Sequence, residues 1–148
     1  MNKLLVLWLD DMRDPNKYLI KKSNSNTFVR NKNFYDDLMS KYDISFVWVK
    51  NFEEFKRYIL KNGLPPFISF DHDLGAGLPK GLDCAKWLIE YCRENNKSLP
   101  RFFVHSANPN GQREINTLLN MPSNVQENKI TLIIREEISK LLKKDSNV

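Results

Sequence analysis

FISFDHDLG, residues 67–75, sets two carboxylates and an imidazole against the end of an apolar run. Pro65-Pro66 force extended chain ahead of it, and Phe67 to Phe70 read as a short buried strand. A plain turn after such a strand needs only a Gly or an Asn. Here Asp71, His72 and Asp73 come first and Gly75 follows. A strand that ends in three ionisable groups reads as the lip of a site.

The same arrangement recurs on either side. Lys3 to Leu9 reads as a fully buried strand and ends in Asp10-Asp11, continuing to Arg13-Asp14-Pro15. After Pro100, the run RFFVH forms another strand and leads into His105-Ser106-Ala107-Asn108-Pro109. ISFVWV, residues 44–49, is rich in β-branched and aromatic residues and supplies one more strand. Helices alternate with these strands. Asn51 is placed to cap the helix that follows residues 44–49, with Glu54 three residues on in the manner of a capping box. Gly63 ends it. Leu82, Ala85, Leu88, Ile89 and Cys92 repeat at helical spacing. Asn108 caps and Pro109 opens a further helix. A short helix is expected over about 33–41, and a terminal amphipathic helix over 128–143, where TLII offers a strand start as the alternative. The stretch from Met12 to about Asn31 reads as irregular, with KKSNSNT (21–27) an exposed, mobile loop. No repeats and no second domain are evident, so residues 1–148 read as one domain.

Strands alternating with helices predict an α/β sandwich around a mostly parallel sheet. Apolar strands without alternation fit burial on both faces. In an open parallel sheet the carboxyl ends of the strands share one edge, where ligands bind. The three polar clusters therefore converge on one crevice.

Several carboxylates brought together repel one another, and a divalent cation removes that cost. Oxygen-rich ligation favours Mg²⁺, or Mn²⁺ with help from histidine. His72 and His105, the two histidines of the chain, exchange protons near neutral pH. Ser106 and Asn108 are partners for phosphoryl oxygens, and Asn108 stands just before a helix start, a favoured place for an anion. Together these residues predict a metal-assisted phosphoryl or phosphodiester site.

Composition agrees with this and narrows little. The 148 residues are 41% hydrophobic and 11% aromatic, enough for a real core. The net charge of +5 permits an anionic ligand such as a nucleotide or RNA, although much of the surplus lies in Lys-rich surface stretches. The apolar run Leu4 to Leu9 is too short for a signal peptide core or a membrane span, so no membrane association is expected. Cys84 and Cys92 are eight apart in one expected helix, about 12 Å at about 1.5 Å per residue. That separation excludes a disulfide and fits buried thiols in a reducing cytoplasm.

LWLDDMRDP, VWVKNFEEF, ISFDHDLG, GLDCAKWL and VHSANPNG resemble the cyclic-phosphate processing receiver domain family. The resemblance runs from about residue 4 to 120, with roughly 16–43 resembling an insertion and 121–148 an added tail. It implies a receiver-like (flavodoxin-like) three-layer sandwich with a mostly parallel sheet. No regular fifth strand is evident in the sequence. It implies that Asp10, Asp11 and Asp71 correspond to the metal and phosphoacceptor carboxylates of receivers. Asp73, His72, His105, Ser106 and Asn108 match the family's own additions. The Lys-Pro pair that follows the fifth strand of signalling receivers is absent, which points away from phosphorelay and towards catalysis.

The leading expectation is a metal-dependent phosphoesterase opening a cyclic phosphate, an RNA 2′,3′-cyclic end or a small cyclic nucleotide. Asp10, Asp11 and Asp71 hold Mg²⁺ or Mn²⁺, with Asp73 in support. His72 and His105 share the acid and base roles, and Arg13, Ser106 and Asn108 hold the phosphate. One alternative is a non-catalytic degenerate receiver that binds a nucleotide, RNA or a protein partner. Another is a haloacid-dehalogenase-type phosphatase, suggested by Asp-x-Asp after a strand, although Gly75 stands where that family has Thr or Ser.

Overall fold

The computed structural model describes residues 1–21, 29–121, 137, 138, 140 and 141. Four parallel strands form one sheet: β1 (Asn2–Leu9), β2 (Tyr42–Val49), β3 (Phe67–Phe70) and β4 (Arg101–Val104), in the order β2-β1-β3-β4. This is the α/β fold expected. The switch in strand order falls between β1 and β3, where open α/β sheets open a crevice at their carboxyl edge. The described residues contain no fifth strand.

The strands are buried on both faces because β1 divides its side chains between two cores. Leu7 and Leu9 point to one face and pack with Ile68, Phe70, Phe55, Ile59, Leu88 and Ile115. That face is covered by α3 (Phe52–Asn62), α4 (Gly81–Glu94) and α5 (Pro109–Leu119). Trp8 points to the other face and packs with Tyr18 and Tyr35, flanked by Phe46, Trp48 and Phe103. That face is covered by α1 (Pro15–Lys21) and α2 (Val29–Lys41).

Here the structure corrects the sequence reading. Residues 15–21 are helical, not irregular, and α2 begins at Val29 rather than near 33. The local cause is Asp14, whose side chain accepts from Asn16 N at 3.0 Å. Pro15 then opens the helix with φ already set. Burial of Tyr18 against Trp8, at a ring-centroid distance of 5.9 Å, supplies the tertiary reason. The part of the chain read as an insertion thus builds the second helical layer. The polar loop beyond Lys21 lies outside the described residues. So does most of the helix expected over 128–143; residues 137, 138, 140 and 141 are helical.

The other helix ends follow the expected chemistry. Asn51 Oδ1 accepts from Glu54 N at 2.9 Å, while Glu54 reaches back to Lys50 N rather than to Asn51 N. Gly63 closes α3 at φ 83°, donating its N–H to Ile59 O. Asn108 Oδ1 accepts from Asn110 N and Gly111 N, with Pro109 at the first helical position. Cys84 and Cys92 are buried thiols on the inward side of α4. Among the described residues no helix is long and apolar enough to cross a membrane.

Two helices approach the site loops so closely that only glycine fits. A Cβ on Gly81 would lie 1.8 Å from Asp71 O, and one on Gly111 2.3 Å from the His72 ring. Gly81 N donates to His72 O at 2.8 Å, so α4 is tied to the loop after β3 at its first residue. The Gly81→Ala variant must push that backbone apart. It is expected to lose about 1–3 kcal/mol of stability by overpacking, read as a lower urea midpoint at unchanged m-value. An unchanged midpoint would show that the approach is not tight.

Candidate active site at the carboxyl edge of the sheet

The ladder carries one row beyond the strands. Asp71 N donates to Leu9 O and His105 N to Phe70 O, each at 2.9 Å, and Asp10 N donates to Val49 O at 3.0 Å. Asp10, Asp71 and His105 therefore stand side by side across β1, β3 and β4. The three clusters do converge. Asp10, Asp11 and Asp71 offer carboxylate oxygens that lie within 4.8 Å of one another. They floor a cleft of about 920 Å³ that Arg13, Asp73, Ser106 and Asn108 also line. The loop Leu74–Leu78 forms a further wall, and Lys80 closes it.

Asp10 is the most enclosed of the carboxylates, fully buried. Its Oδ1 accepts from Met12 N at 3.0 Å and Arg13 N at 2.9 Å. Its Oδ2 accepts from Arg13 Nε at 2.7 Å and lies 3.0 Å from His105 Nε2. Two tryptophans pin the turn that carries these amides. Trp48 Nε1 donates to Asp10 O at 2.7 Å, and Trp8 Nε1 to Arg13 O at 2.9 Å. Burial raises the Asp10 pKa, but hydrogen bonds from His105, Met12 and Arg13 more than offset it, so the carboxyl titrates below its ordinary value.

Asp71 differs. Burial and then the charge of Asp10 push its carboxyl up to about 6, against the opposing pull of Arg13, whose Nη2 lies 3.3 Å from Asp71 Oδ1. Crowded carboxylates with this repulsion, all oxygen donors, fit the site of a hard divalent cation.

The two histidines sit behind the cleft rather than in its wall. His105 is fully buried, stacked on Trp8 at 3.8 Å and 7°. Its Nδ1 lies 2.7 Å from Ser69 Oγ, which in turn accepts from the Tyr35 hydroxyl. The four groups are consistent in direction. Tyr35 donates to Ser69, Ser69 to Nδ1, and Nε2–H to Asp10, which assigns the neutral Nε2–H tautomer. Burial lowers the His105 pKa to about 4 in spite of Asp10, so the ring is neutral at pH 7. His72 is also buried, wedged against Gly111, with Nδ1 3.0 Å from Asp73 Oδ1 and Nε2 3.5 Å from Glu114 Oε2. Asp73 itself is exposed at the cleft edge, where Asn108 Nδ2 approaches its Oδ2 at 3.4 Å. Ser106 Oγ accepts from Asn108 N at 3.1 Å.

A family model described as the cyclic-phosphate processing receiver domain matches residues 5–121. The chain belongs to this family. The match takes in both helical layers and every site residue named above, and it ends before the tail. It leaves the haloacid-dehalogenase alternative without support. No curated protein matches the chain. One similar solved structure is a fusion carrying a yeast Spc42 trimeric coiled coil, 14% identical, with 100% of this chain and 86% of that one covered at a TM-score of 0.46. Another is the N-terminal domain of a response regulator/sensory box/GGDEF 3-domain protein from Carboxydothermus hydrogenoformans. It is 15% identical, with 93% and 98% covered and a TM-score of 0.43. Likenesses this distant carry no argument; the fold rests on the observed sheet order.

Sequence reasoning missed Trp8, Tyr35, Ser69 and Lys80. Ser69 was findable as the lone polar residue of an apolar strand. The others gave no local signal.

The raised Asp71 pKa has a testable sign. Between about pH 4 and 6 the folded chain holds a proton that the unfolded chain has released, so ionising Asp71 costs stability as pH rises. Asp71→Asn removes that cost. In EDTA the variant's stability advantage over wild type should grow from about pH 4 to about 6 and then level off, at about 2–3 kcal/mol. An advantage that shrinks with pH across this window would refute the assignment.

Proposed function

We propose that this chain is a metal-dependent phosphoesterase that opens a cyclic phosphate, an RNA 2′,3′-cyclic end or a small cyclic nucleotide. The observation that carries the reading is the cleft itself. Three crowded carboxylates form its floor, and Arg13, Ser106 and Asn108, side chains able to donate to phosphoryl oxygens, line its walls. Family membership supplies the cyclic phosphate.

Asp10, Asp11 and Asp71 would hold Mg²⁺ or Mn²⁺, which supplies a Lewis acid for a phosphoryl oxygen and lowers the pKa of a bound water. Arg13, Ser106 and Asn108 line the space where non-bridging oxygens would sit. Water adds to phosphorus, one ring P–O bond breaks, and the product is a phosphomonoester with a free hydroxyl. The proton lost by water and the proton gained by the leaving oxygen balance.

The geometry supports different tasks for the two histidines. Asp73 is the exposed carboxylate of the cleft, and His72 backs it through Nδ1. In this reading the pair would exchange protons with the substrate. His105 faces Asp10 from beneath and fixes that carboxylate's orientation.

The test mixes the protein with 2′,3′-cyclic mononucleotides, RNA ending in a cyclic phosphate, and cyclic dinucleotides, with Mg²⁺ or Mn²⁺. Ring opening identified by product mass, abolished by EDTA and by Asp71→Ala, is the expected result. His72→Ala should lower kcat by about 10²–10⁴ with metal affinity retained. Ligand retention without turnover across the panel would instead establish a binding module.

A further inference from the structure

Asp10 has no lone pair to spare. Its two oxygens take four hydrogen bonds, from Met12 N, Arg13 N, Arg13 Nε and His105 Nε2. That is the full acceptor capacity of an ionised carboxylate. A cation that enters among Asp10, Asp11 and Asp71 must therefore replace one of these partners at Asp10.

Three of the four are fixed. The amides of Met12 and Arg13 belong to the turn that Trp8 and Trp48 pin. His105 is sealed between Trp8 and Ser69 with no exposed surface. The fourth, the Arg13 guanidinium, sits on a long side chain with 24% of its surface exposed, and it lines the cleft. It also bridges to Asp71 Oδ1 at 3.3 Å, so one group neutralises two of the three carboxylates. The Tyr18 ring already lies 5.1 Å from Arg13 Cζ, a cation–π neighbour that remains within reach when the carboxylates are released.

We propose that Arg13 is an internal counter-cation that a divalent metal ion displaces from Asp10 and Asp71, which frees the guanidinium to hold the phosphate that follows. The inference rests on reading the carboxylate floor as a metal site. It gives binding an order. While Arg13 is engaged, its Nε and Nη2 face Asp10 and Asp71, and the Nε/Nη2 fork is not offered to an anion. Once the metal replaces it, the same guanidinium presents two N–H groups for bidentate contact with phosphoryl oxygens.

The proposal has opposite signs in two measurements. Arg13→Gln removes the competitor, so Mg²⁺ or Mn²⁺ should bind more tightly by calorimetry. The expected gain is about ten- to a hundredfold, the size of one charge-assisted hydrogen bond no longer competing. At saturating metal the same variant should bind inorganic phosphate more weakly than wild type. Arg13→Lys keeps the charge but not the fork, and its metal affinity should fall between the two. If Arg13→Gln does not fold, the wild-type protein still decides. The ¹⁵N–¹H signal of Arg13 Nε should shift or broaden as Mg²⁺ is added. Metal binding to Arg13→Gln that is unchanged or weaker, or an Arg13 Nε signal unmoved at saturating Mg²⁺, overturns the proposal while leaving the metal site standing. Absence of metal binding in both proteins overturns the proposal and the metal site together.

Discussion

The buried carboxylate of Asp10 is the constraint on which the site depends. It lies one residue beyond β1, with no exposed surface, and a bare charge there would be prohibitive. Each of its hydrogen bonds ties a different part of the fold to one point. The Met12 and Arg13 amides set the turn after β1, and His105 brings in the end of β4. Through Ser69 and Tyr35 the chain of donors reaches β3 and α2. Two of the chain's three tryptophans spend their indole N–H on the same turn. A carboxylate held from this many directions has one rotamer, which is what a preorganised ligand needs.

Much of the fold was legible because its signals are local. The four strands, the caps at Asn51 and Asn108, and the stop at Gly63 were read within a residue or two of where they occur. Residues 15–21 were not read as helix, because their helical face holds few apolar side chains. What makes them a helix is tertiary: Tyr18 closes over Trp8, in the layer that α2 completes. With α1 missing from the reading, that face had only the short helix expected over about 33–41 as its cover, and how deeply residues on that face are buried did not show.

This explains why the convergence of the strand-end residues was legible but their depth was not. Convergence of Asp10, Asp71 and His105 follows from parallel strands that end together, which sequence shows. Depth follows from side-chain parity within the sheet. Trp8, Ser69 and Phe103 are register partners. Alternation sends Asp10, Asp71 and His105, each two residues on, to that same face. It is the face that α1 and α2 cover, so His105 lands against Trp8 instead of in the cleft. His72, one residue out of step, goes to the α5 side and meets Gly111. The two histidines thus flank the site from opposite faces of the sheet, each behind a different carboxylate.

That placement bears on how an anion enters at all. The cleft floor carries up to three negative charges against the single cation of Arg13, with Lys80 at the rim. A phosphodiester approaching this floor without a metal ion meets net repulsion, strongest where the site is driest. Raising Asp71 to about 6 softens the repulsion only below that pH, by protonation. At neutral pH a bound divalent cation would cancel the two negative charges that Arg13 leaves unbalanced. On the proposed function, the positive potential a phosphate substrate needs would come with a bound cation rather than from the chain's own side chains, and the carboxylates that repel phosphate from the empty floor are the ones that would hold that cation.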